Sequence, residues 1–190
     1  GTGHLNDLLL VKPVFFRGNY VGSISCTTHI VDIGGICMNP DGRDVFDEGL
    51  FIPPMALIEK GEMNSVLLSL ILANSRNPKQ AEGDINALLS CCDVAERRLL
   101  EMMEEVGISD LETISKHILD TSEAATRKLI SVLPDGTYEN QMMTDGYDFE
   151  IDLRAKMTVK GDEVEIDLDG CSGPSRYGIN SPLNYATAYS

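Results

Sequence analysis

Two short stretches near the amino terminus repeat one spacing of residues able to do acid–base or metal chemistry. "GHLND" places His4 three residues before Asp7, and "THIVD" places His29 three residues before Asp32. The chain has 3 histidines in all, so two of them stand in matching His-x-x-Asp boxes. An imidazole and a carboxylate within reach of each other can share a hydrogen bond, pass a proton or hold one divalent cation. A purely structural Asp–His hydrogen bond at a strand end has the same sequence signature. His117 has no such company and reads as a structural residue, half-exposed on a helix.

The boxes flank a candidate β-hairpin. Residues 8–16, "LLLVKPVFF", are almost continuously apolar, residues 20–28, "YVGSISCTT", are rich in β-branched and small residues, and "RGN" between them is a turn signal. Pro13 lacks an N–H, which puts the first strand at a sheet edge or introduces a bulge. If Arg17–Asn19 forms a three-residue loop, Phe16 pairs with Tyr20 and Asp7 falls opposite His29. A two-residue loop shifts that partner only to Thr28 or Ile30. Opposed residues share a face, with Cβ atoms about 4.5–5.5 Å apart. Gly1, Gly3 and Asn6 suggest that the chain has left the strand before Asp7, so that His4 can turn back toward it. His4, Asp7 and His29 then make a two-histidine, one-carboxylate cluster, with Asp32 as a fourth ligand or as the acceptor that orients an imidazole. Gly34 and Gly35 permit a sharp turn beside it.

Beyond the second box, "ICMNPDGRDVFDEGLFIPPM" reads as a long ordered loop. Helices follow. Residues 65–74 form a short apolar one. The next has Asn77 as N-cap, Pro78 at its first position, Gln80 completing a capping box and Gly107 as its stop. Along it Ile85, Leu88, Leu89, Cys92, Ala95, Leu99, Met102 and Val106 recur at three and four. A third helix is expected from Ser109, capped with Glu112, to about Leu133, ended by "PDG". The remainder alternates apolar and charged residues in "DFEIDLRAKMTV" and "EVEIDLDG" around the turn "KGD", a second hairpin. The order hairpin, loop, three helices, strands lacks a βαβ rhythm, so the class is α+β. The regions are 1–60 with the metal-site hairpin and loop, 61–134 helical, and 135–190 β.

The chain has 190 residues, 43% of them hydrophobic, and a net charge of −15. That surface repels polyanions, so nucleic acid and anionic membrane are poor partners. No apolar run is long enough to span a bilayer, and no secretory signal leads the sequence. The 5 cysteines show no Cys-x-x-Cys spacing and suit reduced thiols in a cytoplasmic protein. With no initiator Met and a final "GINSPLNYATAYS" that opens a helix, the chain reads as an excised segment of a longer one.

Four stretches together resemble the hydantoinase B/oxoprolinase family, whose relatives include subunits of acetone and acetophenone carboxylases. They are "GTGHLNDLLLVKPVFFRGNYVGSISC", "THIVDIGG", "DEGLFIPP" with "LANSRNPKQAEGDINA", and "GINSPLNYATAYS". The resemblance implies a metal site on a His and an Asp three residues apart with a second His about one hairpin later, which fall on His4, Asp7 and His29. Asp32 would lie just outside the ligands. It also implies hydrolysis of a cyclic amide (a hydantoin, 5-oxoproline or a related lactam) activated by ATP-dependent phosphorylation in a hydantoinase A-type partner subunit or domain. A divalent Mn, Fe or Zn ion would acidify a water for attack on the activated carbon, and Glu48 or Asp84 would move a proton. No Gly-x-x-x-x-Gly-Lys-Ser/Thr loop occurs, which fits ATP being used by the partner. The linker after "DIGG" is shorter than in many relatives, and Ala87 is followed by Leu88 where an Ala-Gln pair is common, so a different substrate preference is expected. The alternatives are an acetone or acetophenone carboxylase-type subunit and a non-catalytic structural subunit. A homo-oligomer is compatible with each.

Overall fold

A computed structural model describes residues 3–189; Gly1, read above as part of the turn before Asp7, lies outside them. The class is α+β, as expected. Two compact units divide the chain, one running to Asp110 and including Ser181–Ala186, the other spanning Leu111–Asn180 and the residues from Thr187.

In the first unit, β1 (Asp7–Phe16) and β2 (Asn19–His29) form a two-stranded antiparallel ribbon. The loop is shorter than expected. Phe16 pairs with Asn19, leaving Arg17 and Gly18 as a two-residue turn with φ of 51° and 84°. Two positive φ values in succession match the right-handed twist of the flanking strands. The register then shifts between Val14 and Phe15, so that Val14 faces Gly22 and Val21 is the extra residue of a bulge. That shift sits next to Pro13 and restores the register that a three-residue loop would have produced: Asp7 lies opposite His29.

The acidic loop contains a one-turn helix, α1 (Val45–Glu48), capped by the Asp44 side chain, and a minimal ribbon of β3 (Ile58–Glu59) and β4 (Glu62–Met63). Next come α2 (Ser65–Asn74) and the long α3 (Pro78–Val106). The capping box at Asn77 differs from expectation: its amide donates to the Gln80 side chain at 3.0 Å, and no side chain caps α3. Gly107 ends α3 in a left-handed conformation, as expected.

The ribbon lies along α3. Lys12 pairs with Asp93 and Glu96, and Arg17 with Glu104. The tip therefore points toward the end of α3 and the open end toward its first turns. There Ile30 and Ile33 pack with Leu67 and Ile71 of α2 and Ala81 and Ile85 of α3, flanked by Leu5, Leu8, Leu50 and Ile52. The apolar stripe of α3 holds through Ile85, Leu88 and Cys92; further on Met103 is the buried residue and Val106 is exposed.

The second unit holds α4 (Glu112–Ile130) and a three-stranded antiparallel sheet in the order β5 (Gly136–Thr144), β6 (Ile151–Lys160), β7 (Glu163–Asp167). α4 starts three residues later than expected, because the Ser109 hydroxyl turns to Asp110 and leaves the first turn without a side-chain cap. β5 is exposed throughout, so no buried face stamps an alternating pattern on it, and only the β6–β7 hairpin was legible. α5 (Leu183–Tyr189) follows. No helix among the described residues is long and apolar enough to cross a membrane.

Candidate metal centre

The open end of the β1–β2 ribbon holds the histidine–aspartate cluster. The Asp7 N–H donates to the His4 carbonyl at 3.3 Å, closing a turn that folds His4 back over the start of β1. Across the ribbon His29 ends β2. The Nε2 of His4 lies 2.8 Å from the Nδ1 of His29, and both nitrogens are 3.2 Å from the same Asp7 oxygen. Edge-to-face packing of the rings, with centroids 4.8 Å apart, holds the nitrogens toward one point.

These donors fit a divalent cation. Ligand atoms at about 2.1 Å on adjacent corners of an octahedral ion lie roughly 3.0 Å apart, which is the spacing found here. Two imidazoles and one carboxylate suit Mn²⁺ or Fe²⁺ and do not exclude Zn²⁺. The side chains of His4 and Asp7 are about four-fifths covered while that of His29 is half-exposed, so the group opens to solvent on the His29 side. Among the described residues it is the one group of three or more potential ligands that converges.

Asp32 is not brought to this group. It is buried, and both its oxygens are taken: one by the Arg76 backbone N–H, the other by the Arg76 guanidinium and the Gly34 N–H. Hydrogen bonds from the Arg76 side chain, with two backbone N–H groups adding to them, hold its carboxyl far below the ordinary aspartate range against the opposing effect of burial. The same guanidinium reaches the carbonyls of Gly34 and Gly35 and the Cys37 sulfur. The second box therefore splits, its histidine facing Asp7 and its aspartate bracing the loop beyond β2.

Glu48, at the end of α1, accepts the Leu5 N–H at 2.9 Å with one oxygen and so clamps the backbone beside His4. Asp84 is half-buried in α3 and forms no side-chain hydrogen bond or ion pair with another described residue. His117 is exposed on α4. Two residues to which sequence reasoning gave no role in the site itself are central. Asn6 is 1% exposed; its carbonyl accepts the Leu8 and Ile30 N–H groups, and its amide donates to the Ile30 carbonyl at 3.0 Å. Arg76 is the partner that removes Asp32. Asn6 was visible inside the first box, whereas nothing local links Arg76 to an acid 44 residues away.

Comparison with known proteins places the chain in a family. The family described as hydantoinase B/oxoprolinase matches residues 1–190. The chain belongs to the hydantoinase B/oxoprolinase family. Caprolactamase subunit beta of Pseudomonas jessenii is 32% identical to this hydantoinase B/oxoprolinase chain over 185 residues, covering 94% of it and 32% of the relative. The acetophenone carboxylase delta subunit of Aromatoleum aromaticum is 29% identical, with 95% and 28% covered. The crystal structure of the ATP-dependent caprolactamase from P. jessenii superposes with a TM-score of 0.88 at 30% identity, covering 97% of this chain and 33% of that one. The chain thus spans about a third of the length of these relatives, a caprolactamase subunit, an acetophenone carboxylase subunit and an ATP-dependent caprolactamase.

Proposed function

We propose that the chain is the metal-binding segment of an ATP-dependent cyclic amidohydrolase, in which His4, Asp7 and His29 hold a divalent Mn, Fe or Zn ion. One observation carries the reading: three donor atoms, brought by the two strands to the open end of the ribbon, lie within 4.8 Å of one another. A cation bound there supplies Lewis acidity and lowers the pKa of a water. The chain's own groups supply the rest. Asp7 places its carboxylate between the two imidazoles. Glu48 uses one oxygen to hold Leu5 and keeps the other for moving a proton. Asp84 has no tie to the His4 loop, so this role is given to Glu48. The substrate is a lactam, hydantoin or 5-oxoproline ring, made electrophilic by phosphorylation in a hydantoinase A-type partner. The similarity to a caprolactamase subunit supports the lactam.

The test uses the full-length chain with its ATP-using partner. ATP-dependent loss of caprolactam, 5-oxoproline or hydantoin is expected, together with stoichiometric metal that His29→Ala loses. Full metal content and activity in His29→Ala would sink the reading. Consumption of a ketone that requires bicarbonate as well as ATP would instead favour the carboxylase reading, which the similarity to the acetophenone carboxylase subunit motivates.

A further inference from the structure

Three of the five cysteines gather where β2 lies on α3, in a place the metal cluster does not use. Cys26 of β2 and Cys92 of α3 are 66 residues apart in sequence, yet their sulfurs lie 3.3 Å from each other. The Cys26 sulfur also rests 3.5 Å from the Leu88 carbonyl one turn earlier on α3. Cys92 is 1% exposed, Cys26 is half-buried and Cys91 is exposed. Cys91, the residue before Cys92 on α3, also lies near enough to Cys26 to influence its thiol. Cys26 thus stands between an accessible thiol and a hidden one.

A disulfide requires sulfurs about 2.05 Å apart, so the Cys26–Cys92 pair has roughly 1.3 Å to close, a side-chain adjustment between two elements already in contact. We propose that Cys26 and Cys92 form an oxidisable dithiol, that the oxidant is a peroxide, and that Cys91 is the thiol through which it enters. The Cys91 thiol first attacks the peroxide, giving a sulfenic acid and releasing water. The Cys26 thiol displaces the hydroxyl, forming a Cys26–Cys91 disulfide and a second water. The Cys92 thiol then attacks the Cys26 sulfur, transferring the bridge to Cys26–Cys92 and returning Cys91 as a thiol. Overall two thiols lose two hydrogens and one peroxide becomes two waters. Burial, reinforced by the Cys92 thiol, raises the Cys26 pKa, which leaves first contact with the oxidant to the exposed neighbour. The product ties the strand that ends at His29 to the helix beneath it.

The experiment treats the full-length chain with hydrogen peroxide, blocks remaining thiols after unfolding, and maps the peptides by mass. A linked peptide pair holding Cys26 and Cys92, lighter by two hydrogens and released by dithiothreitol, is expected. Cys91→Ser should form the same bridge several-fold more slowly, and Cys92→Ser should stop at Cys26–Cys91. Over-oxidation of Cys91 with Cys26 and Cys92 still free overturns the proposal, and so does a lasting Cys26–Cys91 bridge in the unsubstituted chain. An unchanged rate in Cys91→Ser overturns the entry role. Wild-type mapping alone decides the dithiol if a variant fails to fold.

Discussion

Asn6 shows how a strand end is fixed beside the proposed metal donors. Its side-chain amide and backbone carbonyl both bind Ile30, the residue after His29, so the positions flanking Asp7 and His29 are locked together. Its side-chain oxygen is buried without a partner among the described residues, a cost accepted for that cross-strand link. Asn6→Ala should lower Mn²⁺ affinity by about 10–100-fold, as loss of a group that orients ligands does. Calorimetric titration at a temperature where the variant remains folded would show it; unchanged affinity would make Asn6 merely structural. Asp32 leads to a different prediction. Its folded pKa is depressed, so it stabilises the fold above the ordinary aspartate pKa of about 3.9 and loses that contribution as pH falls below it. The groups facing it are Arg76, which stays charged, and Cys37. Asp32→Asn should destabilise at pH 7 by about 2 kcal/mol and flatten the acid limb, measured as urea midpoints from neutral to strongly acid pH. A variant whose midpoint tracks wild type at every pH would show that the pair contributes nothing.

The elements place these side chains through two glycines that act differently. Gly35 has φ 56°, and a Cβ there would lie 2.5 Å from the Glu48 carbonyl carbon. Gly107 has φ 72° and open space around it. Gly107→Ala should therefore cost only about 1 kcal/mol, for the left-handed backbone. Gly35→Ala should cost on the order of 2–4 kcal/mol, since steric displacement of α1 adds to the strain. Because α1 carries Glu48 and Glu48 holds Leu5, only the Gly35 variant should also weaken metal binding; urea unfolding with a parallel metal titration separates the two. The ribbon itself was legible, but not its construction. A two-residue turn followed by a bulge at Val21 reaches the register that a longer loop would have given; without the bulge Asp7 would face Thr28. α2, α3 and the Gly107 stop were readable because propensity, punctuation and periodicity are local. The cap of α3, the start of α4 and strand β5 were not, since the side chains of Asn77 and Ser109 chose neighbours other than the backbone and β5 buries no face.

For the molecule as a whole, metal and stability should be linked. If His4, Asp7 and His29 bind an ion only when the ribbon is folded, metal at about 100 times its Kd adds roughly 2.7 kcal/mol to stability. Chelation of the full-length protein should lower its Tm and metal return should restore it, whereas His29→Ala should be indifferent to both. A Tm unmoved by chelation in the unsubstituted protein would count against the site. By itself the sequence determined the α+β class, the ribbon, the helices and the family, because each is written in residues close together or in order along the chain. It also brought His4, Asp7 and His29 together, since a hairpin is the shortest route between distant residues. Tertiary packing decided what became of the second acid. The two boxes have the same spacing, yet Asp7 stays with the imidazoles while Asp32 is captured by Arg76 from the α2–α3 junction. It likewise set Glu48 against Leu5 and Cys26 against Cys92. Such contacts depend on how buried faces stack, and a spacing along the chain carries no record of that.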